Sequence, residues 1–399
     1  MTKRIRSPWL MVLTLFLIYP TSGMGIDVYV PSMPAMSYFF QVPSSLVKLS
    51  ITFYLLGYAL FCFIIPPLSD SFGRRPFLLV GLLVFAIVSF AITKSPNIEI
   101  LLVLRFIQGV CMASIMGIAR AILPDLFEGE KYKKITNYCV AAWGIGPIIA
   151  PFIGSNLQHY FSWRAPFYFL GTYVLVVFFL VLFYLPESLL NRRPFEIIKV
   201  SQNIWTVMKC PIFYSLSILS GLCYSAFLLF STLGPFAIQV DLGYSPRFFG
   251  WMALLMGAAF FLGSLVPRFL KSYKERHVIN TLSLLFCLLA MTALLVSLET
   301  KVNIYFVVVS SFVMIFIAAA VFPLIYAKAL SMFRHQTGVV SAVLGGYLAL
   351  FLYPWSCLFF RLQQMQTFPA PQCLILSAEK VWMRYLIHNI FSSKPLSYY

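Results

Sequence analysis

Long stretches without a charged side chain constrain this sequence more than any other feature. Each is about 18 residues or longer, which as a helix is enough to cross roughly 30 Å of hydrocarbon. The chain is 61% hydrophobic and 10% charged, a balance that excludes an ordinary soluble protein. The stretches are Ser7–Ile26, Leu49–Ser69, Pro76–Thr93, Ala165–Pro186, Cys210–Val240, Phe248–Pro267, Val278–Leu298, Val302–Ala327 and Gln336–Phe360.

Two further segments are less uniform and bring the predicted membrane spans to eleven. Glu99–Leu123 contains Arg105, and Ile135–Leu157 is rich in glycine and proline. The pattern predicts an all-α polytopic membrane protein, in which six spans precede a charged connection and the remainder follow it. The predicted parts are an N-terminal six-helix bundle (1–186), a cytoplasmic linker (187–209), a C-terminal bundle with five readable spans (210–360) and an atypical polar tail (361–399).

The formal net charge of +17 is explained by orientation. With the N-terminus in the cytoplasm, the cytoplasmic side up to Arg334 holds nineteen Lys and Arg residues, Arg120 among them, and the opposite side holds five. This asymmetry is the positive-inside rule, so we predict no nucleic-acid partner. The eight cysteines contain no C-x-x-C pair, and we predict neither a disulfide nor a metal site.

A short charged turn interrupts the apolar pattern between the second and third spans. It lies in PLSDSFGRRPFLLVG (67–81) and contains Asp70, Gly73, Arg74 and Arg75. Asp70 can cap a helix or pair with an arginine, Gly73 permits an unusual backbone conformation, and the arginines can bridge to the neighbouring bundle. The turn is therefore either a conformational latch or an ordinary positively charged loop.

This turn resembles the loop motif G-x-L-x-D-R-x-G-R-R of the major facilitator superfamily, with Pro66 and Ser71 as departures. Three further segments resemble that superfamily's drug:proton antiporter branch: MGIDVYVPSMP (24–34), RFIQGVCMASIMGIAR (105–120) and AAWGIGPIIAPFIGS (141–155). Together they are similar to its bicyclomycin/chloramphenicol-resistance-like efflux pumps. The resemblance implies two six-helix bundles and proton-coupled export of small amphipathic or drug-like molecules by alternating access.

Asp27 and Arg105 are the predicted proton-coupling pair. The resemblance implies that role, and an acid and a base near the same membrane face suit it, because burial favours a protonated carboxyl and a nearby cation favours a charged one. The sequence places Asp27 at the outer end of the first span, where it could instead be a simple interfacial residue. Arg105 could instead extend its side chain to the interface.

The fifth span carries the predicted antiporter motif, whose small residues and prolines would form a flexible contact between the halves. Packing alone would also explain these residues, which are Gly144, Gly146, Pro147, Pro151 and Gly154. Polar, aromatic and methionine side chains at helical spacing predict walls of a substrate cavity, with packing as the alternative. The predicted cavity residues are Tyr19, Met24, Gln108, Met112, Met116, Tyr214 and Tyr224.

The resemblance implies twelve spans, whereas only eleven are readable. The polar tail after Phe360 predicts either an interfacial helix or an altered reading frame. We expect a monomer in the cytoplasmic membrane, if the source is bacterial, that uses a proton gradient and no cofactor. The alternatives are an uptake facilitator or symporter of the same fold and a non-transporting receptor or sensor. No cluster of catalytic groups predicts an enzyme.

Overall fold

A computed structural model of the protein describes residues 8–189, 202, 205–207, 209–270, 275–299 and 304–332. Over these residues the ordered elements are helices, and no strand is present. The first half contains α1 (Pro8–Ile18), α2 (Thr21–Asp27), a 3-10 turn (Val30–Ser32), α3 (Met33–Phe40), α4 (Ser44–Phe61), α5 (Ile65–Phe72), α6 (Arg74–Ile92), α7 (Ile98–Leu126), α8 (Gly129–Tyr160) and α9 (Ala165–Tyr184).

In the described part of the second half, four long helices follow. They are α10 (Pro211–Phe236), which ends in a wider π-helical turn (Ala237–Asp241), α11 (Pro246–Phe269), α12 (Glu275–Glu299) and α13 (Ile304–Met332). The described helices belong to one compact unit. The domain boundaries predicted at 186 and 209 remain predictions.

Within the described residues, nine helical segments are long and apolar enough to cross a membrane, which confirms the predicted class. The predicted span Val278–Leu298 lies in α12, where the apolar segment found among those residues is shorter, His277–Phe286. The predicted span Gln336–Phe360 and the tail 361–399 lie outside the described residues.

The second predicted span is displaced in the structure. The sequence predicts Leu49–Ser69, but α4 begins at Ser44 and ends at Phe61, and a separate helix, α5, follows. The consecutive prolines Pro66 and Pro67 explain the break, because neither can donate the backbone hydrogen bond that a continuous helix requires. Lys48, one of the five charges predicted to lie on the outer side, is therefore part of α4.

The first span is also longer than predicted. Hydrophobicity ends near Ile26, but one 32-residue span runs from Trp9 to Phe40 through α1, α2, the 3-10 turn and α3. The 3-10 turn keeps the chain helical across Pro31, since the backbone N–H of Ser32 donates to the Tyr29 carbonyl at 2.8 Å. Asp27 lies within this interrupted helix and ends the uncharged run, so the predicted span ends too early.

The helices pack so that α7 lies against α4 and α6, and α8 lies between α2 and α11. Contact between the halves runs mainly through α8 and α11. Glycines permit these close approaches: a Cβ at Gly109 would collide with the Tyr54 carbonyl oxygen, and one at Gly257 would come within 2.5 Å of Ile148. Helix–helix contact through small residues is the usual way to pack membrane helices.

Candidate functional site

Asp27 is buried inside the membrane-spanning region. It ends α2, near the middle of the span Trp9–Phe40, and only 3% of its surface is exposed. The prediction that it lies at the outer end of the first span is therefore wrong. Its Oδ1 accepts a hydrogen bond of 3.3 Å from the hydroxyl of Ser231 on α10. The buried carboxyl consequently joins the first half of the chain to the second.

Arg105 is completely buried on α7 and is held mainly by backbone carbonyls. Its Nη1 donates to the Gly25 carbonyl at 3.0 Å and to the Gln108 side chain at 2.7 Å, and Nε donates to the Ser50 carbonyl at 3.4 Å. The guanidinium also lies 4.2 Å from the ring centroid of Tyr29 and 4.5 Å from that of Tyr54. These contacts compensate the cation for the loss of water.

The structure brings Asp27 and Arg105 into the same region without an ion pair between them. Asp27 accepts a hydrogen bond from Ser231, and Arg105 donates one to the carbonyl of Gly25, two residues before Asp27. The Nη2 of Arg105 is buried and has no hydrogen-bond partner among the described residues. Arg105 is thus fastened to the segment that carries Asp27, with one donor still unused.

The predicted antiporter motif on α8 packs against this same segment. A Cβ on Gly154 would collide with the Val28 carbonyl oxygen, and a Cβ on Gly146 would lie 3.0 Å from the Pro20 carbonyl oxygen. Pro147 fits against Gly23, whereas Gly144 faces open space.

On its other side, α8 contacts α11, where a Cβ on Gly250 would meet the Ser155 side chain. Pro147 and Pro151 lie inside the helix. The motif therefore connects the Asp27 segment to the second half.

The predicted latch is a closed polar cluster. Arg74 pairs with Asp70 at 3.1 Å and with Asp125 at the end of α7, and it donates to the Ala121 carbonyl. Arg75 donates to the Leu182 carbonyl at 2.6 Å. In the described residues these partners all lie in the first half. The expectation that the arginines bridge to the neighbouring bundle is thus not met here.

Glu187, just after α9, caps the N-terminus of α6, a role that the sequence analysis considered for Asp70. Its carboxylate accepts from the backbone N–H of Arg74 at 3.1 Å and of Arg75 at 3.2 Å. Gly73 has φ of +111°, and a Cβ there would lie 2.8 Å from this carboxylate. Glu187 and Asp125 were missed as site residues, although acids are so rare in this chain that each was a usable signal.

The predicted cavity residues fall into different environments. Met112 and Met116 are buried in the core of the first half, Tyr19 is buried, and Gln108 hydrogen-bonds Arg105 and Ser89. Met24 is partly buried.

On α10, Tyr214 is 44% exposed, whereas Tyr224 lines a cavity of about 10 Å³. That volume holds roughly one water molecule. Tyr224 also interacts electrostatically with Asp27. It therefore lies both at a small cavity and near the buried carboxyl.

A second arginine on α7, Arg120, also lies deep among protein atoms, and sequence analysis counted it only as a cytoplasmic charge. It interacts electrostatically with Tyr58, Tyr326, Tyr19 and Cys62, the interaction with Tyr58 being the strongest. We call Arg120 and the three tyrosines the tyrosine cage. Its members come from α1–α2, α4, α7 and α13, and therefore from both halves.

At the end opposite the latch, the halves touch directly. The Gln239 side chain donates to the Pro31 carbonyl at 3.0 Å, and the Lys48 ammonium lies 4.7 Å from the Phe236 ring centroid. Lys48 also interacts with Asp241 across the same boundary. The molecule is thus joined between its halves at this end.

No group of side chains that could hold a metal ion occurs within the described ranges. None of the following cysteines forms a disulfide: Cys62, Cys111, Cys139, Cys210 and Cys223.

Residues 15–354 match the family model described as Major Facilitator Superfamily. A multidrug resistance protein MdtL from Shewanella sp. (strain ANA-3) is 27% identical, with 83% of each chain covered. A bicyclomycin resistance protein homolog from Haemophilus influenzae is 29% identical over 51% of this chain and 52% of the relative. A solved D-xylose-proton symporter has a TM-score of 0.66 at 15% identity, covering 87% of this chain and 89% of that one.

Proposed function

The chain belongs to the Major Facilitator Superfamily, and we propose that it is a proton-coupled antiporter that exports small amphipathic or drug-like molecules by alternating access. Relatives named for multidrug and bicyclomycin resistance support the export of such molecules. The energy source would be the proton gradient, with no cofactor. The protein would act as a monomer in the cytoplasmic membrane of a bacterial source, with its N-terminus in the cytoplasm.

The observation that carries this proposal is the buried Asp27 carboxyl, which bonds Ser231 across the two halves. A carboxylate is costly to bury without a cation, so movement of the halves changes the free energy of its ionisation. Binding and release of a proton can thereby be linked to the conformational change. A proton that moves down a potential of 100 mV supplies about 2.3 kcal/mol for this work.

Arg105 would receive the ionised carboxylate. The Nη2 of Arg105 is a buried donor without a partner among the described residues. It lies beside the Asp27 segment, because Nη1 of the same guanidinium donates to the Gly25 carbonyl. A modest movement of α2 would exchange the Ser231 hydrogen bond for an ion pair. Rocking about the α8–α11 contact would provide that movement, and the latch cluster would keep the first half rigid while it moves.

Transport by purified protein in proteoliposomes tests the proposal. A panel of fluorescent amphipathic compounds would be followed with and without an imposed pH gradient. Wild-type protein is expected to move compounds against the direction of proton flow. Movement in the same direction as protons would indicate a symporter, and saturable binding without flux would indicate a receptor or sensor.

Replacing Asp27 with asparagine tests the proton carrier. Asp27→Asn keeps the size and the Ser231 contact but cannot exchange a proton, so we expect gradient-driven transport to fall at least about a hundredfold, which corresponds to about 2.8 kcal/mol. Exchange of labelled substrate without a gradient should persist. Glu99→Gln, which neutralises an exposed acid at the start of α7, is the matched control. Normal coupling in Asp27→Asn would refute the assignment.

A further inference from the structure

Helix α10 and the turn that ends it contact the first span through two polar side chains. The Ser231 hydroxyl donates to Asp27 Oδ1 at 3.3 Å, and the Gln239 side-chain amide donates to the Pro31 carbonyl at 3.0 Å. Both donors belong to the second half of the chain and both acceptors to the first. The two hydrogen bonds therefore join the halves at successive positions along the same pair of segments.

Ser231 differs from other hydroxyl residues of α10 in where its hydrogen bond goes. Ser217, Ser220 and Thr232 each donate at 2.8 Å to the carbonyl four residues earlier in the same helix. Ser231 donates to another helix instead, and both it and the Asp27 carboxyl are 3% exposed. A hydroxyl that bonds its own helix does not hold two helices together, whereas the Ser231 hydroxyl does.

The backbone is irregular on both sides of this contact. The first span passes from α2 into the 3-10 turn Val30–Ser32, which touches α8, α10 and α11. Helix α10 contains Pro235 and then widens into the π-helical turn Ala237–Asp241. Short π-helical turns occur frequently at functional sites. Irregular turns on both segments allow the contact to separate by local changes in backbone conformation.

The two acceptors differ in their response to pH. The Pro31 carbonyl cannot titrate, so the Gln239 hydrogen bond is the same at any pH. The Asp27 carboxyl is inexpensive to bury when it is neutral and shares a hydrogen bond with a hydroxyl, but an ionised carboxylate in the same place needs a cation. The Ser231 contact therefore suits the protonated acid.

The neighbours of Asp27 do not change charge over the range that matters, about pH 5.5 to 8.5. In the described part of the chain the charged or titratable groups beside it are Arg105 on α7, Tyr29 on the first span and Tyr224 on α10. Unperturbed tyrosine ionises near pH 10, at about 10, and arginine above about pH 12. Asp27 is thus the group whose titration can act on Ser231.

The elements around the contact contribute one group that titrates near neutral pH. Helices α8 and α11 meet the two segments with Gly154 and Phe249, which carry no charge. Lys48 and Asp241, at the outer end, ionise near about pH 10 and 4 when unperturbed. His159 lies exposed in the last turn of α8 and ionises near about pH 6.5 when unperturbed. The experiment must therefore separate Asp27 from His159.

We propose that Ser231 is the positioning residue through which protonated Asp27 holds α10 against the first span, and that Gln239 adds a closing contact independent of pH. This rests on the proposed proton-coupled function and names the residue of the second half that responds to the proton. Ionisation of Asp27 releases Ser231, so the halves separate more readily at the end opposite the latch.

Distances between spin labels on the full chain in nanodiscs test the proposal. The labels are attached to p-acetylphenylalanine in place of Tyr38 on α3 and Arg247 on α11, two exposed positions near the contact, so the native cysteines stay unchanged. Protonation favours the closed form, so the closed population is largest at low pH. The closed-to-open ratio of otherwise wild-type protein should fall at least about fivefold from about pH 5.5 to 8.5. A ratio that does not change with pH would overturn the proposal.

Replacing Ser231 tests its role directly. Ser231→Ala should lower the ratio about fivefold at about pH 5.5, the equivalent of about 1 kcal/mol, and change it little at about pH 8.5. Ser231→Thr keeps the hydroxyl and should restore the pH dependence. Ser217→Ala is the matched control, because the Ser217 hydroxyl is equally buried but bonds its own helix. Normal pH dependence in Ser231→Ala would overturn the proposal.

Gln239→Leu tests the second contact. It removes a hydrogen bond to a carbonyl that cannot titrate, so the ratio should fall by a similar factor at both pH values and its pH dependence should remain. Loss of the pH dependence in this variant would show that the two contacts do not have separate roles.

Asp27→Asn identifies the titrating group and keeps the proposal testable if Ser231→Ala does not fold. It retains a partner for Ser231 but cannot ionise, so the closed population should no longer vary with pH. Remaining pH dependence would assign the titration to another group, such as His159, and overturn the proposal.

Gradient-driven export, measured separately in proteoliposomes, distinguishes failure of this proposal from failure of the proposed function. Closure that depends on pH and on Ser231, without coupled export, would uphold the positioning role and refute antiport. Coupled export with closure that ignores pH would do the reverse.

Discussion

Helix α7 carries two arginines fifteen residues apart that solve the problem of a buried charge in opposite ways. Arg105 is completely enclosed and bonded to the Gly25 and Ser50 carbonyls and to Gln108. Arg120 is partly accessible and surrounded by tyrosines. The first is fixed to the protein itself and suits a coupling element. The second has tyrosines from both halves as neighbours and suits a structural contact between the halves.

Replacement of Arg105 gives the largest expected difference between the two sites. Arg105→Gln would remove three hydrogen bonds that a charged group donates to buried acceptors, each worth about 1.5 to 3 kcal/mol, and free the Asp27 segment from α7. Gradient-driven transport in proteoliposomes should then fall at least about a hundredfold.

Arg120→Gln serves as the comparison, because the neighbours of Arg120 are tyrosines rather than the backbone of the Asp27 segment, so coupled transport should fall less. Flux in proteoliposomes measures both effects. If the two variants lost coupled transport to the same extent, the arginines would share one role and the distinction would fail.

The sequence predicted the helical class, the charged turn that carries Arg74 and Arg75, and the span that carries Arg105. Runs without charge and helical spacing are local features, so they can be recognised without knowledge of the packing. It misplaced Asp27, since a 3-10 turn across Pro31 keeps the first span helical beyond the point where hydrophobicity falls. It placed Arg120 within the predicted span Glu99–Leu123 but counted it only as a cytoplasmic charge, because its tyrosine neighbours come from distant segments.

The interaction partners of the latch arginines could not be predicted from the sequence, because they lie far away along the chain. Glu187 reaches Arg74 and Arg75 across more than one hundred residues, and nothing local encodes that contact. The antiporter motif gave the correct helix, but only the structure showed that its glycines touch Pro20 and Val28. Contacts between distant segments, rather than helices, were what sequence reasoning lacked.

A smaller effect is expected from close packing beside Arg105. Gly109 lies against the Tyr54 backbone, where an added Cβ would collide with the carbonyl oxygen, so Gly109→Ala must push α7 away from α4. Overpacking of this kind costs about 1 to 3 kcal/mol, and the melting temperature of the purified protein should fall accordingly.

Gly144→Ala is the matched control, because that glycine faces open space, and it should melt like wild-type protein. A stable Gly109→Ala variant with unimpaired transport would show that Arg105 tolerates displacement of its helix.

The smallest and most specific test uses two tyrosines one turn apart on α4. Tyr54 lies 4.5 Å from the Arg105 guanidinium through its ring, and its hydroxyl has no hydrogen-bond partner among the described residues. Tyr58 interacts with Arg120 through its hydroxyl. Tyr54→Phe keeps the ring, so the melting temperature of this variant should stay close to that of wild-type protein.

Tyr58→Phe removes a hydroxyl that interacts with the Arg120 guanidinium. A lost hydrogen bond to a charged group costs about 1.5 kcal/mol or somewhat more, so this variant should melt measurably below Tyr54→Phe. Thermal unfolding of the two purified variants measures the difference. If Tyr54→Phe lost as much stability as Tyr58→Phe, the Tyr58 hydroxyl would have no special role beside Arg120, and the contrast between the two arginines of α7 would fail.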